Sequence, residues 1–246
     1  MRTMALLLTG LLLLLFFPAS AQLLDSSQLL QQKFFLSLEE ARVQPEAVYR
    51  LNLEKQKLTE IPDEVFQFPN LQELNLSRNK ITTIPAALSS IPFLQVLDLS
   101  GNMIDSMPPS MGALVHLRRL NLSGNKIGTL IPEIGQMKEL RVLNLGDNNL
   151  HQLNSAIGNL SHLRNLILQK NRIDSLPAEM GKLKSLYYLD LWGNNISKFP
   201  PEMAELKHTL KVIDMRVIAL NPEDQDEILM LLPETDIYFS TGCNCH

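Results

Sequence analysis

The stretch LYYLDLWGN at residues 186–194 decides the fold of this 246-residue chain. Leucine occupies its first, fourth and sixth positions, and asparagine occupies its ninth. The same pattern recurs along most of the sequence, and a 23-residue step separates successive asparagines at Asn79, Asn102, Asn125, Asn148, Asn171 and Asn194. A fixed period of this length is typical of a solenoid, in which each repeat buries its apolar face against its neighbours.

Each repeat contains two predicted elements. The alternation of leucine with other residues predicts a short strand with one buried face. Apolar residues then follow at spacings of three and four, as in Ile81, Ile84 and Leu88, and predict a helical or 3₁₀ segment. A proline usually opens that segment, because its missing N–H breaks no helical bond there; these prolines are Pro62, Pro85, Pro108, Pro177 and Pro200. Pro132 is displaced by one residue, and Asn154 replaces the proline in another repeat.

Glycines recur in step on the same segments. Because glycine normally weakens a helix by about 1 kcal/mol, a repeated one indicates a tight bend or a close backbone approach. The glycines are Gly112, Gly135, Gly158 and Gly181.

These residues resemble the leucine-rich repeat family, with the 23-residue consensus LxxLxLxxNxIxxIPxxIxxLxx, over roughly residues 48–237. The resemblance implies an α/β solenoid with a concave parallel β-sheet and short helical or 3₁₀ segments on the convex side. It also implies binding rather than catalysis. The repeated asparagine suits this fold, because its amide can both donate to and accept from backbone groups where the chain leaves the strand. Leaving such buried groups unpaired would cost about 1–3 kcal/mol each.

The repeat period divides the chain into five segments. The first begins with Arg2, continues as an apolar run and ends in the small residues Ala19, Ser20 and Ala21. This order is typical of a cleaved signal peptide, with an uncleaved membrane anchor as the alternative. The predicted segments are a signal peptide (1–21), a helical N-terminal cap (22–47), seven repeats (48–209), a degenerate repeat with the C-terminal cap (210–240) and a cysteine-containing tail (241–246).

Both caps carry local signals. Ser37 followed by Glu40 predicts a capping box, and the short helix should end before Pro45. The cap is expected to cover the first repeat. After Leu206 the repeat register shifts by one residue, and Asn221 marks the start of a final helix. That helix has an expected apolar face of Ile228, Leu229, Leu231 and Leu232, and a last short strand is predicted at residues 237–239.

The composition excludes several functions. The formal net charge is −4 and no block of lysine or arginine stands out, so a nucleic-acid partner is not expected. The sequence has no nucleophile elbow and no glycine-rich phosphate loop. The histidines before the tail show no ligand spacing, at His116, His151, His162 and His208. We therefore predict neither an enzyme nor a cofactor, and no small-molecule substrate is evident.

The tail contains Cys243, Cys245 and His246. Two thiols and an imidazole could hold zinc or copper, but no fourth ligand is visible, so these residues are weak candidates. An oxidised pair or an intermolecular disulfide is an alternative in an exported protein. A solvated tail without a site is the favoured interpretation.

Four triplets match the N-glycosylation acceptor, and the repeat consensus generates such triplets by itself. They begin at Asn75, Asn121, Asn159 and Asn195, and glycans at the first two would obstruct the expected concave face. Secreted vertebrate proteins of the resembled family usually carry cysteine-rich caps, which this chain lacks. That difference favours a bacterial origin, in which these triplets would mean little.

The expected binding residues lie on the exposed face of the strands. The third, fifth and seventh positions of each repeat should point away from the core. In most repeats these residues are small or plainly polar, whereas the last repeats offer aromatic and charged side chains of the kinds enriched at binding hot spots. The predicted patch is Trp192, Tyr188, Ile167, Arg216, Asp190 and Gln169. Alternatively, Tyr187 and Trp192 pack along the strand edges near the C-terminal cap.

The sequence thus predicts an exported binding module, secreted, periplasmic or on the cell surface. Its concave face would bind a protein partner, or a glycan. The alternative is a structural or adhesion protein that assembles with copies of itself. An enzyme would need a catalytic domain, and no stretch remains to form one.

Overall fold

The computed structural model describes residues 22–240, and the signal-peptide and tail predictions lie outside this range. The predicted fold class is confirmed. Ten strands form one sheet in chain order, and each strand is parallel to the next. The strands are β1 (Phe34–Phe35), β2 (Arg50–Asn52), β3 (Glu73–Asn75), β4 (Val96–Asp98), β5 (Arg119–Asn121), β6 (Val142–Asn144), β7 (Asn165–Ile167), β8 (Tyr188–Asp190), β9 (Val212–Met215) and β10 (Asp236–Phe239).

The segments between the repeat strands are 3₁₀ helices. Proline caps most of them, and where Asn154 replaces it, the Asn154 side chain accepts a 2.9 Å hydrogen bond from the Ala156 N–H. An amide oxygen thus satisfies a backbone donor at the helix start. The 3₁₀ helices are η1 (Pro45–Ala47), η2 (Asp63–Gln67), η3 (Ala86–Ser90), η4 (Pro109–Ala113), η5 (Pro132–Gln136), η6 (Ser155–Asn159), η7 (Ala178–Lys182) and η8 (Pro201–Leu206).

Strand register follows the repeat period. From β2 to β8, each residue pairs with the residue 23 positions further along, as Leu166 does with Leu189. Between β8 and β9 the step is 24, so Tyr188 lies beside Val212. The predicted one-residue shift after Leu206 is confirmed, and it keeps Ile213 inside the core beside Leu189.

The repeated asparagine satisfies the backbone as expected. The Asn148 amide donates to the carbonyls of Leu122 and Leu145, at 3.0 Å each, and to that of Gly146 at 3.3 Å. Its oxygen accepts from the Ile127 N–H at 3.0 Å. Each such asparagine therefore joins one repeat to the preceding one, and the others with this arrangement are Asn79, Asn102, Asn125, Asn171 and Asn194.

The recurring glycines mark close contacts between successive 3₁₀ helices. A Cβ on Gly181 would lie 2.3 Å from the Glu202 carbonyl oxygen, and one on Gly158 would lie 2.5 Å from that of Glu179. These distances are too short for any side chain. The expected close backbone approach is confirmed.

The N-terminal cap differs from the predicted helical segment. It contains helices α1 (Ser26–Gln31) and α2 (Leu38–Val43), but strand β1 lies between them and extends the sheet beside β2. Ser37 does cap α2, accepting from the Glu40 N–H at 3.1 Å. The Glu40 carboxylate, however, accepts from the Leu36 N–H and not from that of Ser37, so the predicted capping box is incomplete. A complete box opens α1 instead, formed by Asp25 and Gln28.

The C-terminal cap forms as predicted, with one exception. Helix α3 (Pro222–Leu231) begins after Asn221, whose side chain accepts from the Asp224 N–H at 2.7 Å. Ile228 and Leu232 are buried, whereas Leu229 is 44% exposed. The prediction that Leu229 belongs to the apolar face is wrong, because α3 packs on the solenoid through a single narrow stripe of buried residues. Within residues 22–240, no helix is long and apolar enough to span a membrane.

Candidate interaction surface

The last four strands bring the predicted patch together on one face of the sheet. Parallel pairing places Ile167 beside Asp190 and Asp190 beside Asp214. The same column of residues continues to Tyr238, which pairs with Asp214. Because alternate positions of a strand share a face, the flanking columns face the same way; they contain Asn165, Tyr188 and Val212 on one side, and Gln169, Trp192 and Arg216 on the other.

Arg216 forms a forked ion pair with Asp214. Its Nη2 lies 2.6 Å from Asp214 Oδ2 and its Nε lies 3.0 Å from Oδ1, while its backbone N–H donates to Oδ1 at 3.0 Å. Burial alone would raise the pKa of Asp214, but the hydrogen bonds from Arg216 outweigh it and hold that pKa below its ordinary value. Asp214 is therefore a buried, ionised carboxylate that fixes an exposed guanidinium.

Asp190 does not have the exposure that the sequence predicts. Only 7% of it is exposed, because it accepts the Trp192 N–H at 3.0 Å and lies next to Tyr188, whose hydroxyl is 3.5 Å from Oδ2. Burial, and next the nearby charge of Asp214, raise the pKa of Asp190 despite the Trp192 hydrogen bond. It thus lacks the direct guanidinium partner that Asp214 has, and its charge is only partly compensated.

The two aromatic residues of β8 and its following turn lie beside this carboxylate. Tyr188 is half-buried, and burial followed by the charge of Asp190 raises its pKa, so its phenol stays protonated as a donor. Trp192 is half-buried, and Lys170 Nζ lies 5.0 Å from its ring centroid, within range of a cation–π interaction. Lys170 is not among the patch residues predicted from the sequence.

Tyr187 does not pack along the strand edge as the alternative interpretation proposed, because it is 54% exposed. It occupies the second position of its repeat, and its backbone N–H donates to the Arg164 carbonyl at 2.8 Å. Tyr187 therefore lies beside the predicted patch and outside its three columns.

Ile167 interrupts a row of polar side chains on this face, which the fifth position of each repeat contributes. In the fifth position of the other repeats, an Asn or Asp side chain accepts the backbone N–H two residues later, as Asn144 does from Gly146 and Asp190 from Trp192. Ile167 cannot accept, and it lies half-buried between the strands of those two residues. Gln169, also half-buried, has its stem over Gly146. The fifth position is thus mainly a turn-forming position, which the sequence interpretation treated as freely exposed.

A groove of about 320 Å³ opens at the end of the sheet, lined by Tyr188, Val212, Asp214, Arg216 and Tyr238. Tyr238 is 53% exposed and was not among the predicted residues. Counting the 24-residue step forward from Asp214 would have placed it in the same column. The groove brings together one carboxylate, one guanidinium and two tyrosine rings, and the buried Asp190 adds a second negative charge on the neighbouring strand. Acidic groups beside aromatic rings suit a basic side chain of a partner.

Residues 22–240 contain no group of three or more His, Cys, Asp or Glu side chains that could hold a metal ion. The candidates Cys243, Cys245 and His246 lie outside the described range. Of the acceptor asparagines, Asn121 is half-buried and its Nδ2 donates to Asp98 Oδ2 at 3.0 Å, so that nitrogen is engaged in the strand face.

Comparison with known proteins supports the fold. Residues 125–221 match a family model described as a leucine-rich repeat region, and residues 46–104 and 94–150 match one described as a leucine rich repeat. Together these matches cover residues 46–221 without a gap. No curated protein sequence matches the chain.

Two bacterial solved structures resemble it. A leucine-rich repeat protein of Leptospira interrogans is 27% identical with a TM-score of 0.60, and the alignment covers 84% of this chain and 64% of that one. An internalin of Listeria monocytogenes is 19% identical with a TM-score of 0.68, covering 85% and 58% respectively, and shows the fold alone. The chain therefore spans less than two thirds of either protein. With its 23-residue period, asparagine ladder and parallel sheet, the chain belongs to the leucine-rich repeat family.

Proposed function

We propose that this protein is an exported binding module that captures a protein partner through its outward strand face. The contact centre is the aromatic–acidic patch, defined as Tyr188, Asp190, Trp192, Asp214 and Arg216. The observation that carries the proposal is the partly compensated carboxylate of Asp190, which accepts the Trp192 backbone N–H at 3.0 Å and lies 3.5 Å from the Tyr188 hydroxyl. Such a site favours a lysine or arginine side chain of a partner, which can meet a carboxylate and an aromatic face together.

The family supports a protein partner in general terms, because leucine-rich repeat domains typically mediate protein–protein interaction. Fold alone does not identify the partner. Tyr, Trp and Arg are the side chains most enriched among residues that dominate binding energy, and the patch contains all three. The similarity to the Leptospira protein supports a bacterial source, which we include in the proposal together with export.

The test is affinity capture from native surface extracts with wild type and Trp192→Ala. A hot-spot residue contributes about 2 kcal/mol or more, so the variant should retain less than about one tenth of the wild-type capture. Its melting temperature should stay within a few degrees, because Trp192 is only half-buried and its backbone bonds remain. Met230→Ala is the control, since it removes a large, 76% exposed side chain on helix α3, outside the patch, and should leave capture unchanged.

Equal capture by Trp192→Ala and wild type would contradict the proposal. Sedimentation of the wild-type chain distinguishes the alternative of self-assembly. A chain that sediments as a multimer, and becomes monomeric on Trp192→Ala, would mean that the patch binds a second copy and not a different protein.

A further inference from the structure

A second surface runs across the sheet along the N-terminal ends of the strands. It is the second-position row, defined as the residue after the first leucine of each repeat: Gln72, Gln95, Arg118, Arg141, Arg164 and Tyr187. Backbone hydrogen bonds join successive members, from the Arg141 N–H to the Arg118 carbonyl at 2.9 Å and from the Arg164 N–H to the Arg141 carbonyl at 2.8 Å. We call each member of the row a rung, and the side chains on adjacent rungs are about 4.8 Å apart.

The first half of this row holds the protein's own N-terminal segment by its backbone. Gln72 accepts the Leu24 N–H at 2.9 Å and donates to the Gln22 carbonyl at 2.7 Å. Gln95 donates to the Leu24 carbonyl at 2.7 Å. Residue 22 thus contacts Gln72, and residue 24 continues to Gln95 on the next repeat. The segment therefore advances by two residues for each repeat that it crosses.

The third rung ends this contact. Arg118 Nη1 lies 2.7 Å from Gln95 Oε1 and 3.4 Å from Ser26 Oγ, so residue 26 continues the two-residue step. Helix α1 begins at Ser26, and the chain returns towards β2, where Arg50 contacts the Leu30 carbonyl at 3.2 Å. The cap therefore extends over three repeats beyond the first, and leaves the rest of the row uncovered by this segment.

The uncovered half of the row is basic. Arg141 and Arg164 are exposed, and their side chains form no hydrogen bond or ion pair within residues 22–240. The adjoining third positions contain Arg119, Val142 and Asn165, and no carboxylate. Glu139, in the flanking loop, is the nearest acidic residue in sequence and also has no ion-pair partner in the described chain. Two unpaired guanidinium groups therefore stand on adjacent rungs of a protein whose net charge is −4.

The row ends in a depression of about 560 Å³. Arg164, Lys184 and Tyr187 line it together with Asn165, Ser185 and Thr209. Lys184 already pairs with Glu205 at 3.0 Å on the surface. The depression gives a ligand lying along the row a place to end beside the exposed Tyr187 ring.

We propose that Arg141, Arg164 and the adjoining depression form a docking site for an extended acidic peptide segment of a partner protein. The segment would continue the path that residues 22–26 take over Gln72, Gln95 and Arg118, with carboxylate side chains on alternate residues. Arginine suits this role, because its planar fork binds a carboxylate with two parallel hydrogen bonds. The N-terminal segment is held through peptide carbonyl and N–H groups, which a polysaccharide does not offer in this spacing.

The probe is a labelled, end-capped peptide of five Glu-Ser pairs, whose binding to the full chain is followed by fluorescence anisotropy at low and at physiological salt. A peptide of the same composition with all glutamates in one block is the comparison. Extended backbone projects alternate side chains to one face, so the alternating peptide should bind at least about fivefold more tightly than the block peptide.

The diagnostic variant is Arg141→Gln/Arg164→Gln, which should weaken binding of the alternating peptide about tenfold. Lys126→Gln/Arg172→Gln is the matched control, because it removes two exposed charges on the opposite side of the strands without changing the row. That control should stay within about twofold of wild type. Both double variants alter exposed side chains, and unchanged thermal unfolding verifies that each is folded.

Three outcomes would overturn the proposal. Equal weakening by the two double variants would mean that net charge alone attracts the peptide. Equal affinity for the alternating and block peptides would exclude the two-residue step. An alginate oligomer of the same charge that binds as tightly as the alternating peptide would mean that the row recognises polyanions without a peptide backbone.

Discussion

At the scale of single residues, the most informative feature is the pair of carboxylates on neighbouring strands. Asp190 and Asp214 are register partners on adjacent parallel strands. Their pKa values nevertheless shift in opposite directions. The difference comes from Arg216, which donates to Asp214 three times through its side chain. Asp190 has a weaker set of donors, so burial determines the direction of its shift.

Replacing Asp190 by asparagine should stabilise the protein at pH 7. The folded-state pKa of Asp190 is raised above 3.8, so folding disfavours its charged form at every pH above that raised value. The amide can still accept the Trp192 N–H, as Asn144 accepts from Gly146 at the same position of its repeat. The gain in melting temperature should shrink as pH falls and vanish below about 3.8, the ordinary value, where both states bind the proton.

Asp214→Asn is the matched comparison, with the opposite sign. A lowered pKa means that ionised Asp214 stabilises the folded state above pH 3.8, and that this contribution is lost as pH falls through the lowered value. Asp214→Asn should therefore melt below wild type at pH 7 and approach it in acid. Thermal unfolding across pH 3 to 8 measures both, and parallel pH profiles for the two variants would contradict this account.

At the scale of elements, the 3₁₀ helices determine how closely the repeats stack. The structure places Gly181 of η7 against the backbone of Glu202 in η8, and Gly158 of η6 against Glu179 in η7. From η4 to η7, a shared glycine position lets each 3₁₀ helix lie on the next with no side chain between the backbones. The asparagines join the same successive repeats on the strand side, as where Asn171 Nδ2 donates to the Leu145 carbonyl at 2.9 Å.

Gly181→Ala should destabilise the protein strongly. Its Cβ would lie 2.3 Å from the Glu202 carbonyl oxygen, so the backbone of η8 must move, and overpacking of this kind costs about 1–3 kcal/mol or more. Gly128→Ala is the matched control, because a Cβ there meets nothing within 4 Å and should change the free energy of unfolding by less than about 1 kcal/mol. Chemical denaturation measures both, and equal effects would show that the 3₁₀ stack is not tightly packed.

At the scale of the whole molecule, the proposed export makes a prediction about the mature chain. Cleavage after Ala21 would leave Gln22 as the first residue, and among the described residues Gln22 is the first that contacts the second-position row, through Gln72. Intact-mass measurement of the secreted or periplasmic protein should therefore give a chain beginning at Gln22. A mass that includes residues 1–21 would contradict cleavage and favour the membrane anchor.

Much of the fold could be predicted because a solenoid is built from contacts at a constant sequence separation. The leucines, the asparagines and the shift after Leu206 each repeat a local rule, so counting along the chain places them. Counting along the chain predicts nothing about segments that lie outside the repeats. Strand β1 within the N-terminal cap and the exposure of Leu229 depend on how non-repetitive segments pack at the ends of the array.

The candidate surface was predicted less completely. The sequence places Trp192, Tyr188 and Arg216 on one face, because side-chain direction alternates along a strand. It cannot show that Asp190 is buried, since that depends on the lengths of side chains on neighbouring rungs. Lys170 reaches Trp192 only because one turn stands above the next in three dimensions.

The sequence by itself determined the solenoid, its parallel sheet and the inward residues of each repeat, because these follow from a period of 23 and from the need to satisfy buried backbone groups. Only the tertiary structure decided which outward residues remain available. The Leu24 carbonyl meets Gln95 across a separation of 71 residues, a contact that no local pattern encodes. That contact leaves Arg141 and Arg164 beyond the reach of the N-terminal segment, because helix α1 turns the chain back at Ser26.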